Sequence, residues 1–268
     1  MKLKNLNKEL PITDMCKIGR KHKTDKPGYG YTKVYHEIMK DFRNKSVSMF
    51  EIGIYFGASL RMWHEYFSKG FVCGIDNGRL CPGSGILVGG MDGTRVNVLS
   101  VDDVKLLQPE AVTKQLDFSW IENERLKCFI ADQRSETQLN KAFKYFQQDE
   151  FNFILDDGQH YQEHQQKTLG ILFPNIISGG YYIIEDVVEQ QQLIEGSLWG
   201  QRKKDATDST DYIFKQYIKS GELKSRYITE SQTKYITDNI EDIFLYDNLS
   251  KNNSPINGSS KLLIIKKK

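Results

Sequence analysis

The chain has 268 residues, and its 37 lysines and arginines nearly balance its 35 aspartates and glutamates, leaving a formal net charge of +2. This balance argues against a nucleic-acid-binding protein, since such proteins carry a strongly basic surface. The four cysteines have no C-x-x-C spacing, which argues against a zinc or redox motif, and no segment reaches the roughly 20 apolar residues of a membrane helix.

The first part of the chain, residues 1–45, is polar and rich in lysine. A Pro27-Gly-Tyr-Gly30 turn comes before a stretch with helical spacing of apolar residues through Tyr35 and Met39. We expect an N-terminal helical extension or lid that packs on a core domain. Because the segment has no apolar stretch of signal-peptide length, we also expect a cytoplasmic protein with no membrane insertion.

From residue 46 onwards, short apolar runs alternate with polar segments of helical period. Each run has the length and composition of a buried strand, and together they occupy residues 48–53, 71–76, 127–132, 151–156 and 180–185. Strands that alternate with helices predict an α/β domain with a Rossmann-like, mostly parallel, doubly wound sheet and helices on both faces. We expect this domain to cover residues 46–268, a length that buries a substantial core.

The C-terminal part breaks the alternation. The apolar runs at 242–247 and 261–266 are separated only by a loop rich in Asn, Ser and Gly, so we expect an antiparallel hairpin. A seven-stranded sheet that is parallel except for such a hairpin is the plan of class I methyltransferases. Two further segments, 78–110 and 190–212, fit neither helix nor strand alternation and are expected to be insertions that form lids or substrate walls.

Polar residues follow the ends of the first three strands. Gly53 lies where a Cβ would repel an approaching ligand, and Asp76 lies where a carboxylate accepts hydrogen bonds from ribose hydroxyls. Asp132 and Gln133 lie where an adenine amino group can be read. Each also has a structural alternative, since Asp76 can cap a turn and Asp132 can start a helix. Together, and without a Walker motif, these residues favour S-adenosylmethionine over NAD.

Acidic residues and a histidine follow the fourth and fifth strands. Their carboxylates, those of Asp156, Asp157, Glu185 and Asp186, are hard oxygen ligands of the kind that Mg²⁺ or Mn²⁺ prefers. His160 is a nitrogen base three residues beyond Asp157. The pattern predicts a metal-assisted proton abstraction. For Asp156 the alternative is a hydrogen bond back into the fold, and for the Glu185-Asp186 pair it is an acidic helix N-terminus.

Other functions use overlapping residues. His160-Tyr-Gln-Glu163-His164 matches the H-x-x-E-H pattern of some zinc peptidases, although that pattern requires His160 inside a helix and here it follows a strand in a predicted turn. A non-haem iron oxygenase would use Asp157, His160 and His164. A non-catalytic binding module on a methyltransferase fold is a third alternative, which predicts loss of the base or of the acids.

The chain resembles the metal-dependent sugar O-methyltransferases of macrolide antibiotic and polysaccharide pathways. The resemblance covers roughly residues 18–187, and its most specific part is the pair D-D-G-x-H and I-E-D. The matching segments are Thr24-Asp25-Lys26, Gly30-Tyr31-Thr32, Phe50-Glu-Ile-Gly53, Gly57-Ala-Ser-Leu-Arg-Met-Trp63, Gly74-Ile-Asp76, Ala131-Asp132-Gln133, Asp156-Asp-Gly-Gln-His160, Leu172-Phe-Pro174, Gly179-Gly180 and Ile184-Glu-Asp186.

The resemblance implies a role for each site residue. The metal ligands would be Asp157, Glu185 and Asp186, with Mg²⁺ or Mn²⁺ as the ion, and His160 would be the general base. S-adenosylmethionine would contact Tyr31, Glu51, Gly53, Ser59, Asp76, Asp132 and Gln133.

The same resemblance implies a sugar acceptor. We expect either a nucleotide-linked sugar of capsule or surface-polysaccharide biosynthesis or a natural-product glycoside, and a homo-oligomer is compatible with the resemblance. Trp199 and the basic run Arg202-Lys-Lys204 lie in the second insertion, where they are candidates for contact with an anionic sugar nucleotide.

Overall fold

A computed structural model describes residues 10–77, 86–89, 96–99, 121–187, 207–246 and 261–268. Its α-helices in these ranges are α1 (Asp14–Lys21), α2 (Tyr31–Met39), α3 (Ala58–Tyr66), α4 (Glu136–Phe146), α5 (Gln162–Leu172), α6 (Thr210–Ser220) and α7 (Glu230–Asn239). Its strands are β1 (Ser48–Ile52), β2 (Phe71–Asp76), β3 (Ile86–Gly89), β4 (Val96–Leu99), β5 (Leu126–Ile130), β6 (Phe151–Asp156), β7 (Ile176–Glu185), β8 (Ile240–Tyr246) and β9 (Leu262–Lys267).

Seven of the strands form one sheet in the order β5-β2-β1-β6-β7-β9-β8. The first five strands in this order run parallel, and β9 lies antiparallel to both β7 and β8. The predicted Rossmann-like methyltransferase sheet, with its antiparallel C-terminal hairpin, is therefore confirmed. The strand β8 forms the edge of the sheet, and the last strand, β9, lies between β7 and β8.

The two predicted insertions are described only in part. Within 78–110, β3 and β4 pair as a separate antiparallel hairpin that the sequence interpretation did not include. Most of 190–212 lies outside the described residues, and so do Trp199 and the basic run 202–204.

Helices cover both faces of the sheet, as the sequence predicts. Successive strand side chains point to opposite faces, so Phe50 packs in one apolar layer and its neighbour Met49 in the other. The layer that contains Phe50 is completed by α4, α5, α6 and α7. The layer that contains Met49 is completed by α1, α2 and α3, so the N-terminal helices share one continuous core layer with α3.

Local signals fix where several helices begin. Thr229 starts α7 with a capping box, in which its side chain accepts from the backbone of Gln232 and the Gln232 side chain accepts in return. Ser135 and Ser209 cap α4 and α6 with one such bond each, in which the serine side chain accepts from the backbone N–H three residues later. These caps satisfy backbone N–H groups that a helix leaves without intrahelical partners.

The cysteines and the membrane-spanning potential of the helices can be stated for the described residues. Cys16, Cys73 and Cys128 are buried and not disulfide-bonded, and Cys81 lies outside these residues. Among the described helices, none has both the length and the apolar character needed to cross a bilayer.

Candidate active site

The functional side chains lie at the edge of the sheet where the five parallel strands end. In the strand register Ile52 lies opposite Asp156, and Asp156 lies opposite Ile184. The loop after β6 is therefore flanked by the glycine turn after β1 and by the acidic pair after β7. This adjacency follows from parallel pairing, because parallel strands present their carboxyl ends at one edge.

Two carboxylates and an imidazole converge at this edge. Among the described residues, Asp157, His160 and Asp186 bring ligand atoms within 4.8 Å of one another, and all three are partly exposed. His160 Nε2 lies 3.7 Å from Asp186 Oδ2. His160 and Asp186 also have positive backbone φ angles of 56° and 50°, which residues other than glycine rarely adopt. Strain held in place by the surrounding structure is typical of functional sites.

Glu185, the third predicted metal ligand, lies deeper in the protein. Its side chain is buried, and Oε1 accepts hydrogen bonds from Lys26 Nζ at 2.8 Å and from the Tyr35 hydroxyl at 2.5 Å. Burial raises the pKa of Glu185 well above its usual value, and the Asp157 carboxylate adds to this effect. Glu185 is not part of the group formed by Asp157, His160 and Asp186.

Lys26 is a site residue to which the sequence interpretation gave no role. Its side chain is only 1% exposed, and Nζ lies 2.5 Å from Asp157 Oδ2, 2.8 Å from Glu185 Oε1 and 3.5 Å from Glu51 Oε1. Burial lowers the pKa of the ammonium, but these three carboxylates together with that of Asp25 outweigh burial and hold the pKa well above its usual value. The only sequence signal was the Thr24-Asp25-Lys26 match, which lies in a lysine-rich polar segment.

Four carboxylates, those of Glu51, Asp157, Glu185 and Asp186, form an acidic cluster, and Tyr31, predicted to contact the cofactor, lies against it. Its hydroxyl donates a hydrogen bond to Asp186, and its ring stacks on that of Tyr29 at a centroid distance of 5.6 Å. The nearby Asp25 is partly buried, and desolvation of its carboxyl group raises its pKa to about 6. The turn that precedes α2 therefore forms one wall of the site.

A buried hydrogen-bond network supports the loop after β6. Asp156 accepts from the backbone N–H of Gly158 at 3.2 Å, and from Gln133 Nε2 at 3.3 Å. Gln133 Oε1 accepts from the backbone N–H of Gln159 at 3.3 Å. Burial raises the pKa of Asp156 to about 6. Asp156 thus points back into the fold, as its alternative interpretation held, and Gln133 braces the loop from the β5 side.

The glycine turn packs directly on this loop. Gly53 has a φ of +93°, and a Cβ built on it would lie 2.1 Å from the carbonyl oxygen of Asp157. The predicted cofactor residue Glu51 is fully buried, and its Oε2 accepts from Ser59 Oγ at 2.8 Å. Burial raises the pKa of Glu51 to about 7 despite the opposing Lys26 ammonium.

The remaining predicted cofactor residues lie at the ends of β2 and β5. Asp76 Oδ2 accepts from the backbone N–H groups of Ile54 and Tyr55 at 3.0 and 2.9 Å, which fixes the turn after β1. The Asp132 carboxylate pairs with Arg134 at 2.6 Å, and hydrogen bonding to Arg134 lowers the pKa of Asp132 to about 2. A cleft of about 280 Å³ opens here and is lined by Asn77, Ile130, Ala131, Asp132, Arg134 and Gln138.

The described residues do not form the zinc-peptidase site or the iron-oxygenase site, both of which would use His164. His160 lies two residues before α5, so the H-x-x-E-H run is not within one helix. The Glu163 carboxylate pairs with Lys167 at 2.6 Å, and the His164 ring packs against that of Tyr161. Among the described residues His164 does not join the ligand group of Asp157 and His160.

Sequence relatives support the resemblance. No family model matches the chain. It is 24% identical to a mycinamicin VI 2''-O-methyltransferase from Micromonospora griseorubida and 26% identical to a demethylmacrocin O-methyltransferase from Streptomyces fradiae, covering 65% of this chain and 36% of each relative. It is also 24% identical to an L-olivosyl-oleandolide 3-O-methyltransferase from Streptomyces antibioticus, over 90% of this chain and 54% of the relative. The chain thus spans about a third to a half of these relatives.

Solved structures support the fold. The MycE methyltransferase of mycinamycin biosynthesis, in complex with Mg and SAH, superposes with a TM-score of 0.61 at 20% identity, covering 96% of this chain and 55% of MycE. A second MycE structure, which also contains mycinamycin VI, gives 0.60. In sequence the chain is thus similar to proteins named as sugar O-methyltransferases, among them a rhamnosyl tetracenomycin-C 2'-O-methyltransferase from Streptomyces olivaceus, and in structure it has the Rossmann-like class I methyltransferase fold.

Proposed function

We propose that the protein transfers the methyl group of S-adenosylmethionine to a hydroxyl of a small-molecule sugar. The observation that carries this proposal is the contact between the glycine turn at Gly53 and the loop that bears Asp157 and His160. A cofactor on the glycine turn and an acceptor beside His160 would then be neighbours. Holding two reactants within about 3 to 3.5 Å is a main source of rate enhancement for such a transfer.

The donor set fits a hard divalent cation such as Mg²⁺ or Mn²⁺. Asp157 and Asp186 present carboxylate oxygens close to His160, in a partly exposed position that an ion can reach. Glu185, the third ligand that the resemblance implies, lies on the inner side, where Lys26 and Tyr35 hold its Oε1 outside this group. When bound, such a cation lowers the pKa of a coordinated hydroxyl and makes it a better nucleophile.

His160 is the proposed general base. Its Nε2 accepts the proton of the acceptor hydroxyl while the hydroxyl oxygen forms a bond to the methyl carbon and the sulfonium sulfur recovers the electron pair of the broken C–S bond. Asp186 Oδ2, 3.7 Å from Nε2, stabilises the imidazolium that results. General bases of this kind contribute about 10² to 10⁴ in rate.

The proposed cofactor residues divide by burial into two groups. Gly53, Asp76 and Asp132 are partly exposed at the sheet edge and are proposed to contact S-adenosylmethionine directly. A buried group, consisting of Glu51, Ser59 and Gln133, supports them from behind. Tyr31, the first residue of α2, forms the wall next to Asp186.

The proposed acceptor is a small glycoside or a nucleotide-linked sugar. The relatives are named for methylation of sugars on mycinamicin, oleandolide and tetracenomycin scaffolds. A nucleotide-linked sugar of surface-polysaccharide or capsule biosynthesis is the finer proposal, and it depends on the basic run Arg202-Lys-Lys204 in the second insertion. A phosphate group would pair with such a run.

One assay tests this function. The metal-stripped protein is incubated with methyl-labelled S-adenosylmethionine and matched pairs of acceptors, a glycoside and the same sugar as its nucleoside diphosphate conjugate, with Mn²⁺ or with EDTA. We expect label on a sugar hydroxyl only with Mn²⁺. Equal transfer in EDTA would overturn the role of the cation, and binding of S-adenosylmethionine without labelling of any sugar would overturn the sugar acceptor.

A further inference from the structure

Lys26 divides the acidic cluster into two sets. Its ammonium faces Glu51 and Glu185 on the inner side, both of which are almost fully buried. On the outer side it faces Asp157, whose side chain is 22% exposed. The outer carboxylate is also part of the proposed cation site, so one lysine and one cation would share Asp157.

The lysine is fixed at both ends. Its backbone carbonyl accepts from the N–H of Tyr31 at 3.0 Å, and the adjacent Asp25 carbonyl accepts from the N–H of Gly28 at 2.8 Å, which closes the turn that holds it. Its side chain is 1% exposed and its ammonium has three carboxylates as neighbours. All three of these contacts would have to break before the ammonium could move into solvent.

We propose that Lys26 is a resident countercharge of the site, which holds Asp157 and Glu185 in position without a metal and weakens the binding of a divalent cation beside them. This inference rests on the cation site proposed for Asp157 and Asp186. Buried carboxylates without a counterion are strongly unfavourable, and the Lys26 ammonium lies within 3.5 Å of three carboxylate groups here. The same charge repels an incoming cation over a short distance.

The proposal differs from a structural role in one measurable respect. A lysine that served only to attach the N-terminal turn to the core would affect the melting temperature and leave the affinity for a cation unchanged. A resident countercharge affects both quantities in opposite directions. Its removal lowers the stability of the metal-free protein and increases the affinity for the cation.

The test uses Mn²⁺ alone, without cofactor or acceptor, titrated into the metal-stripped protein by calorimetry and followed in parallel by the melting temperature. We expect K26M to melt below the wild type without metal, to bind Mn²⁺ roughly tenfold more tightly or better, and to gain more in melting temperature when Mn²⁺ is added. The double variant K26M/E51Q removes one inner carboxylate together with the lysine. It should recover stability, keep the tighter binding and decide the question if K26M does not fold.

A second buried lysine provides the matched control. Lys261 is fully buried and pairs with Asp211 at 3.3 Å, and Asp211 does not belong to the acidic cluster. K261M should lower the melting temperature and leave the Mn²⁺ affinity unchanged. Unchanged or weaker Mn²⁺ binding in K26M and in K26M/E51Q would overturn the role of Lys26. A wild-type protein that does not bind Mn²⁺ would overturn the cation site itself and the inference with it.

Discussion

Gly53 and Asp157 lie in contact across the ends of two neighbouring strands, so close that a Cβ on Gly53 would be 2.1 Å from the Asp157 carbonyl oxygen. The backbone N–H of Asp157 also donates to the carbonyl of Ile52 at 2.9 Å, which extends the β1–β6 pairing by one residue beyond β6. The glycine was predicted to allow a ligand to approach the backbone. In the structure it allows the loop of Asp157 to approach, which places the proposed cofactor turn against the proposed cation site.

Substitution of Gly53 by alanine should therefore be more damaging than its backbone angle alone implies. A left-handed residue with a Cβ costs about 1 to 2 kcal/mol, and the collision with Asp157 should add about 1 to 3 kcal/mol. Gly179 is the matched control, since it has a similar φ of +76° and open space where a Cβ would be. Urea unfolding of G53A and G179A measures the difference, and equal losses would contradict the close packing.

Replacement of His160 by glutamine should lower kcat by about 10² to 10⁴ at saturating cofactor and Mn²⁺, because the base is lost. His164, which lies on α5 outside the ligand group, is the control, and H164Q should keep kcat close to the wild-type value. Steady-state methyl transfer measures both. If excess Mn²⁺ restored the activity of H160Q, the imidazole would be a ligand instead of the base.

Replacement of the Asp157 or the Asp186 carboxylate by an amide should abolish the rise in melting temperature that a bound cation causes. A ligand at 100 times its Kd stabilises the folded state by about 2.7 kcal/mol, so the wild type should melt at a higher temperature in Mn²⁺. D157N and D186N should lose this increase. Glu163, which is paired with Lys167 at 2.6 Å, is the nearby control, and E163Q should retain it. The same increase in D157N, D186N and the wild type would show that the ion binds elsewhere.

The Asp132–Arg134 pair gives a prediction about pH. Because Arg134 lowers the pKa of Asp132 from 3.8 to about 2, the contribution of this carboxylate to stability is present above pH 3.8 and is lost as the pH falls through about 2. In R134Q the pKa of Asp132 should return towards 3.8, which a carboxyl NMR titration detects. R226Q removes an arginine that pairs with Asp208 and should leave the titration of Asp132 unchanged. An Asp132 pKa that stays near 2 in R134Q would contradict the assigned cause.

The order of apolar runs along the sequence was enough to predict the sheet. Five buried runs separated by helical segments require parallel pairing, and two terminal runs without a crossover helix require an antiparallel hairpin. Asp76, Asp157 and Glu185 each lie at the carboxyl end of a predicted strand, and parallel pairing brings such ends to one edge of the sheet. These predictions depend on local periodicity and chain connectivity, which a sequence contains.

The sequence alone did not determine how the acidic residues are divided. Asp157 and Glu185 both follow strand ends, yet only the folded chain places the Lys26 ammonium between them and leaves Asp157 on the accessible side. Lys26 comes from a turn 131 residues away from Asp157, in a segment whose composition is that of a solvated surface. Its role depends on burial and on the position of three distant carboxylates, and these are properties of tertiary packing that no local pattern encodes.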